Sequence, residues 1–155
     1  MFPRRFALII GIFMLAVGAI SLMPNMVGYA DGLPLLKNEN SYGAFLGLFP
    51  MNIFNKVALT VLGLGGIMAA SARFTSLPAS IHFSRLLFFA TGALAILGLF
   101  PQTNTLNGYW PLFGNEIWVH AALAVLGGYF GYALTAKVPE QKTERDFKTP
   151  AHGLR

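Results

Sequence analysis

Four long apolar runs, separated by polar connections, organise the chain. They cover about residues 6–23, 53–72, 82–100 and 117–136. A helix needs roughly 20 apolar residues to cross the hydrocarbon of a bilayer. The first, second and fourth runs have that length. The third is continuous only from Leu86 to Phe100 and reaches it if 81–84 carries on the same helix. Each run is expected to be helical, because a strand in lipid would leave backbone amides unpaired at several kcal/mol each. Pro24 and Pro101 close the first and third runs, since neither can continue a helical ladder. Asn52 and Asn115 stand just ahead of the second and fourth, where a side-chain oxygen can cap free amides. The pattern predicts an all-α, four-helix transmembrane bundle over 1–136, followed by a polar tail, 137–155.

Composition agrees with lipid as the solvent. Of 155 residues, 55% are apolar and 11% charged, where a soluble domain has about 25% charged. Cysteine is absent, which excludes disulfides, thiolate metal sites and a cysteine nucleophile. The net charge is +5, and its placement decides more than its size. Arg4, Arg5, Arg73, Arg85, Lys137, Lys142, Arg145, Lys148 and Arg155 sit at the amino end, between the second and third runs, and in the tail. Only Lys37 and Lys56 lie toward the other side. Basic residues that flank apolar runs orient a membrane protein and do not form a nucleic-acid face. Both ends are therefore expected in the cytoplasm, which requires an even number of spans. The first run with Arg4, Arg5 and the small residues of Gly28-Tyr29-Ala30 also has the outline of a signal peptide, but it exceeds the usual apolar length of about 7–15 residues.

The longer connections lie on the outward side. Residues 25–51 contain an apolar stretch, 42–49, too short to span and expected at the headgroups. Residues 101–116 carry Trp110, with Trp118 just beyond, so both tryptophans fall at one interface, as in an aromatic belt. The tail has too little apolar surface to fold alone, and its basic residues can meet anionic headgroups.

The second and fourth runs resemble each other. LFPMNIFNKVALTVLG (48–63) aligns without gaps on LFGNEIWVHAALAVLG (112–127), with about half the positions identical. The first and third runs match through the ends Leu22-Met23-Pro24 and Leu99-Phe100-Pro101. Two tandem helical hairpins in the same orientation are expected. Small residues one turn apart, at Ala7 and Gly11, Gly65 and Ala69, Gly66 and Ala70, and Gly127 and Gly131, suit close helix packing within the bundle or between chains.

Three ionisable residues lie in the outward half of the spans: Lys56, Glu116 and His120. Charge there is costly, and so marks a candidate site. Glu116 and His120 are four apart on one helix face, and Lys56 is the repeat partner of His120. The three are a candidate cluster for an anionic ligand or a proton. The plainer alternative is polar contacts near the helix ends, with Lys56 reaching out to water. His82 and His152 are expected in solvent. Nothing resembles a nucleotide loop, a Ser/His/Asp set or a zinc motif, so no enzymatic apparatus is expected.

The segments YWPLFGNEIWVH (109–120) and LFPMN (48–52) resemble the signatures of a bacterial membrane family catalogued as domain of unknown function 4383. The resemblance implies four spans and a bacterial inner membrane, and supplies no activity. Asn115, Trp118 and His120 fit its pattern, with Glu116 in place of an aspartate. Asn55, Lys56 and Leu59 stand where it has a His-Asn pair and a further histidine. Binding candidates are thus His120, Glu116, Lys56, Asn115, Trp118 and Asn52, with no metal site. The leading expectation is a non-enzymatic accessory or structural subunit of a membrane complex, whose partners are the bilayer and other membrane subunits or a second copy. A small-ligand binder or transporter, and a haem- or chlorin-binding subunit using His120, are the alternatives.

Overall fold

The computed structural model describes residues 2–28 and 32–135. The tail 137–155, with His152, lies outside them, as do Ala136 and residues Tyr29 and Ala30 of the signal-peptide alternative. Four helices form: α1 (Phe2–Ser21), α2 (Ile53–Ser71), α3 (Ser76–Leu99) and α4 (Asn115–Gly128), the last running on through a π-helical stretch, Tyr129–Ala133. Helices α1, α2 and α3 are each long and apolar enough to cross a membrane. Helix α3 begins well before the apolar run that marks it, so the connection after α2 is only a short turn. Pro78 falls in its first turn, where no amide bond is lost. His82, expected on a connection, sits on this helix and is exposed.

The all-α expectation needs one correction. Residues Gly43–Phe45 (β1) and Phe49–Met51 (β2) pair antiparallel, so the apolar stretch 42–49 is a β-hairpin. Leu46 and Gly47 both have positive φ, 52° and 71°, and Leu48 N donates to Phe45 O at 3.1 Å. This is the turn that matches the twist of paired strands. Leu46 N also donates to Met26 O, and Gly28 N to Ala44 O, so the chain leaving α1 pairs along the hairpin.

Consecutive helices pack as two antiparallel pairs, α1 with α2 and α3 with α4, and glycine sets the distance in both. A Cβ on Gly63 would lie 2.5 Å from Leu15 N and 2.8 Å from Gly11 O, and one on Gly127 would lie 2.7 Å from both Phe88 N and Ser84 O. The repeat-matched glycines thus abut the same backbone atoms of the preceding helix. This contact places Gly11 and Leu15 opposite Ser84 and Phe88, one helical turn away from the match of Pro24 with Pro101. Helix α3 carries an extra turn before its proline. Among the small-residue pairs, Gly66 meets Ala7 O and Gly11 Cα within the first helix pair, and Gly131 meets Arg85 within the second, whereas Gly65 has only an ordinary contact with Phe83.

Both pairs close in the same way at the end opposite the β-hairpin. Arg4 Nε donates to Ala70 O (2.8 Å) and Arg85 Nε to Gly131 O (2.9 Å). The last carbonyls of a helix have no partner of their own and face a favourable cation. The π-stretch shifts the ladder there, with Leu134 N bonding Tyr129 O, and Thr135 Oγ1 joins Arg85 on Gly131 O. The two pairs join around Phe6, Ala7, Ala70, Phe83 and Leu87, with Phe6 stacked on Phe130 at 4.3 Å. Toward the β-hairpin they separate and leave a cavity.

Candidate functional site

The cavity holds about 500 Å³. Phe13, Met14, Val17 and Ile20 of α1 line it, with Asn55, Leu59 and Leu62 of α2, Thr91 and Leu94 of α3, and Glu116, Val119, His120 and Leu123 of α4. Phe45, Phe49 and Met51 of the β-hairpin, with Trp110, close its end.

The lid over that end is one hydrogen-bonded unit, and Asn52 organises it. Asn52 caps α2 in a reciprocal box: Phe54 N donates to its Oδ1 (3.0 Å), and Asn52 N donates to Asn55 Oδ1 (3.1 Å). Its Nδ2 then donates to Tyr109 O (2.7 Å) and Asn38 O (3.3 Å), tying both long connections to α2. Lys37 N and Asn38 N donate to Gly108 O, and Tyr42 OH to Pro34 O. Burial first, then the Glu39 carboxylate, raise the Tyr42 pKa above the ordinary phenol value. Asn115 does not cap α4, because Gly114 holds the cap position with φ 65° and the helix starts at Asn115 itself. Its side-chain amide donates instead to Leu48 O (3.1 Å), fastening α4 to the β-hairpin.

The three ionisable candidates part company here. Lys56 is 1% exposed, and its Nζ donates to Ser41 O (2.9 Å) and Ser41 Oγ (2.6 Å). The long stem carries the ammonium up under the lid, and Lys56 does not line the cavity. The cluster of Lys56 with Glu116 and His120 is therefore not formed. Glu116 and His120 are both buried on the cavity wall, with His120 Nε2 3.9 Å from Glu116 Oε2, too long for a hydrogen bond. Glu116 Oε1 and His120 Nδ1 are buried without any hydrogen-bond partner, as is Trp110 Nε1. A buried polar atom left unpaired costs about 1–3 kcal/mol, so three in one place are a feature to explain.

Trp118 points away from the site and is 71% exposed, while Trp110 stacks on Phe54 at 6.1 Å and faces the cavity. The two tryptophans, expected together in one aromatic belt, have different surroundings. Asn55, Thr91 and Trp110 are wall residues that the sequence reading did not select. Asn55 sits beside Lys56 on the helix but on its inner face, and nothing short of the packing distinguishes the two. Among the described residues no three His, Asp or Glu side chains come together as a metal site.

The model of a family described as domain of unknown function (DUF4383) matches residues 4–133. The chain belongs to the DUF4383 family. Apart from the first two residues of α1, all four helices, the lid and the Glu116–His120 pair lie within the matched segment. No curated protein and no solved structure matches the chain. Of the positions at which this DUF4383 chain departs from the pattern the resemblance implies, Asn55, Leu59 and Glu116 lie on the cavity wall and Lys56 does not.

Proposed function

We propose that this DUF4383 protein is a four-span integral membrane protein that binds a small ligand between its two helix pairs, with Glu116 and His120 as the polar contacts. The observation that carries this reading is the coincidence of the cavity with Glu116 Oε1 and His120 Nδ1, both buried and unpartnered on residues of its wall. A ligand that supplied partners would recover part of the cost of leaving them unpaired, and polar groups set in an apolar wall are the usual makeup of a small-molecule site. The fourth span is α4 with its π-stretch, which together run from residue 115 to 133, a length that reaches across hydrocarbon. The arginine-bearing ends of the helix pairs face the cytoplasm of a bacterial inner membrane, by the distribution of basic residues, and the lid faces outward. The role needs no catalysis, and it suits a subunit that serves a larger membrane complex.

The test is native mass spectrometry of protein extracted in mild detergent, with an absorption spectrum of the same sample. A small molecule bound to the native chain, and reduced at least tenfold in occupancy in Glu116→Leu or His120→Leu, is the expected result. A chain that carries no small molecule, or carries it equally in all variants, overturns the reading. A second reading, a pigment ligated by His120, draws on the unpartnered ring nitrogen. Its mark is a visible band that disappears in His120→Ala.

A further inference from the structure

We infer that the ligand of this cavity is a lipid-soluble molecule with an uncharged, hydroxyl-bearing head, and that it enters sideways from the bilayer along α1. This rests on the reading of the cavity as a ligand site and adds the ligand's chemistry and its route. The route follows from exposure. Phe13 and Ile20 of α1 line the cavity and are also 59% and 39% exposed. The cavity therefore reaches the flank of the molecule beside α1, and at the level of a spanning helix that flank is bathed in hydrocarbon. Toward water, the way is blocked by the lid, which the bonds from Lys37 and Asn38 to Gly108, from Asn52 to Tyr109 and from Asn115 to Leu48 hold together.

The head chemistry follows from the wall. Among the described residues no lysine or arginine lines the cavity, since Lys56 is engaged by Ser41, so an anionic head would meet Glu116 with no cation of theirs to offset it. A cationic head would give up its hydration shell to an otherwise apolar wall with a single carboxyl group to meet it. A hydroxyl donates and accepts at once. It can give its hydrogen to Glu116 Oε1 and take one from His120 Nδ1 in the tautomer that carries hydrogen there. Both atoms lie behind an otherwise hydrocarbon surface, so binding in this mode requires the two side chains to turn toward the cavity. The remainder of the wall accommodates an alkyl or prenyl tail.

The protein contains its own reporter. Its two tryptophans are Trp110, on the cavity wall, and Trp118, on the outer surface. In Trp118→Phe protein reconstituted in lipid nanodiscs, Trp110 emission is followed during titration with three probes that share one dibrominated octadecyl tail and differ in the head: alcohol, carboxylate and amine. Bromine quenches by contact, so a bound tail gives a saturating curve above the linear collisional background. The alcohol is expected to saturate. Its half-saturation should rise at least tenfold when Glu116 and His120 are both leucine. The saturating part should vanish in Ala90→Phe or Ala58→Phe, which place a ring into the cavity from wall positions on α3 and α2, judged in the variant that keeps native helical circular dichroism. Saturation by the amine or the carboxylate at lower concentration than the alcohol overturns the assigned head, and an alcohol signal that survives the filled cavity overturns the site. If no probe saturates while mass spectrometry still finds a small molecule lost in Glu116→Leu, the ligand is not lipid-soluble and only this inference fails. If neither signal is found, the ligand site itself falls.

Discussion

Lys56 and His120 occupy matched positions in the two repeats, yet they have opposite surroundings. Lys56 is pinned to Ser41 beneath the lid, and His120, a residue of the cavity wall, keeps a buried, unpartnered nitrogen. The difference arises from stem length, because four methylenes carry an ammonium past the helix end and an imidazole stays at its own level. Lys56 is a buried cation whose contacts are a backbone carbonyl and a hydroxyl, with no carboxylate beside it among the described residues. Such a group gains little against its desolvation. Lys56→Met is therefore expected to leave the detergent-solubilised protein as stable as before or more so, with a melting temperature unchanged or raised, and to leave cavity binding intact. Loss of binding with retained stability would restore the three-residue cluster. Asn52 is the reverse case, a candidate binding residue that the structure makes the organiser of the lid. Asn52→Ala removes a cap worth about 0.5–2 kcal/mol and two ties to the connections. It should lower the melting temperature and expose the 101–114 connection to protease.

At the scale of elements, the glycines decide how the helices pair, and not all of them matter alike. Gly63 and Gly127 lie against backbone, which cannot yield, whereas a Cβ on Gly65 would meet only Phe83 Cε2 at 3.9 Å. Gly63→Ala and Gly127→Ala should each destabilise by about 1–3 kcal/mol, the usual cost of overpacking. Gly65→Ala should be neutral or stabilising, since alanine is the better helix former by about 1 kcal/mol. Thermal unfolding of the three variants in one detergent checks this, and equal losses at Gly63 and Gly65 would refute the pairing register. The sequence repeat pointed to the helix pairs and to the matched glycines. It did not show that α3 runs a turn longer before its proline, because apolar helices offer several good alignments one turn apart. The β-hairpin was equally hidden. Phe45 and Phe49 read as membrane-surface aromatics until pairing turned them toward the cavity.

For the whole molecule, the arrangement of two helix pairs with arginines at one end and the lid at the other makes the proposed membrane orientation testable. The absence of cysteine allows single reporters to be placed at will. Leu48→Cys at the β-hairpin tip should react with a membrane-impermeant maleimide in intact cells, and Thr75→Cys between α2 and α3 only after the membrane is opened. The reverse pattern, or equal labelling of both, would refute the proposed orientation. The cavity is a property of this scale alone. It exists because the two pairs touch at the arginine end and diverge toward the lid, and no helix contains it.

The sequence by itself determined where the four helices lie, the apolar character that suits three of them to lipid, and the family to which the chain belongs. Each follows from the order of apolar, basic and turn-forming residues along the chain, which folding does not alter. Only the tertiary structure decided which face of each helix looks inward, and hence that Asn55 and Trp110 line the cavity while Lys56 and Trp118 do not. In a helix surrounded by lipid both faces are apolar, so hydrophobic periodicity cannot tell inside from outside. That distinction is made by close contact between backbones, one glycine at a time.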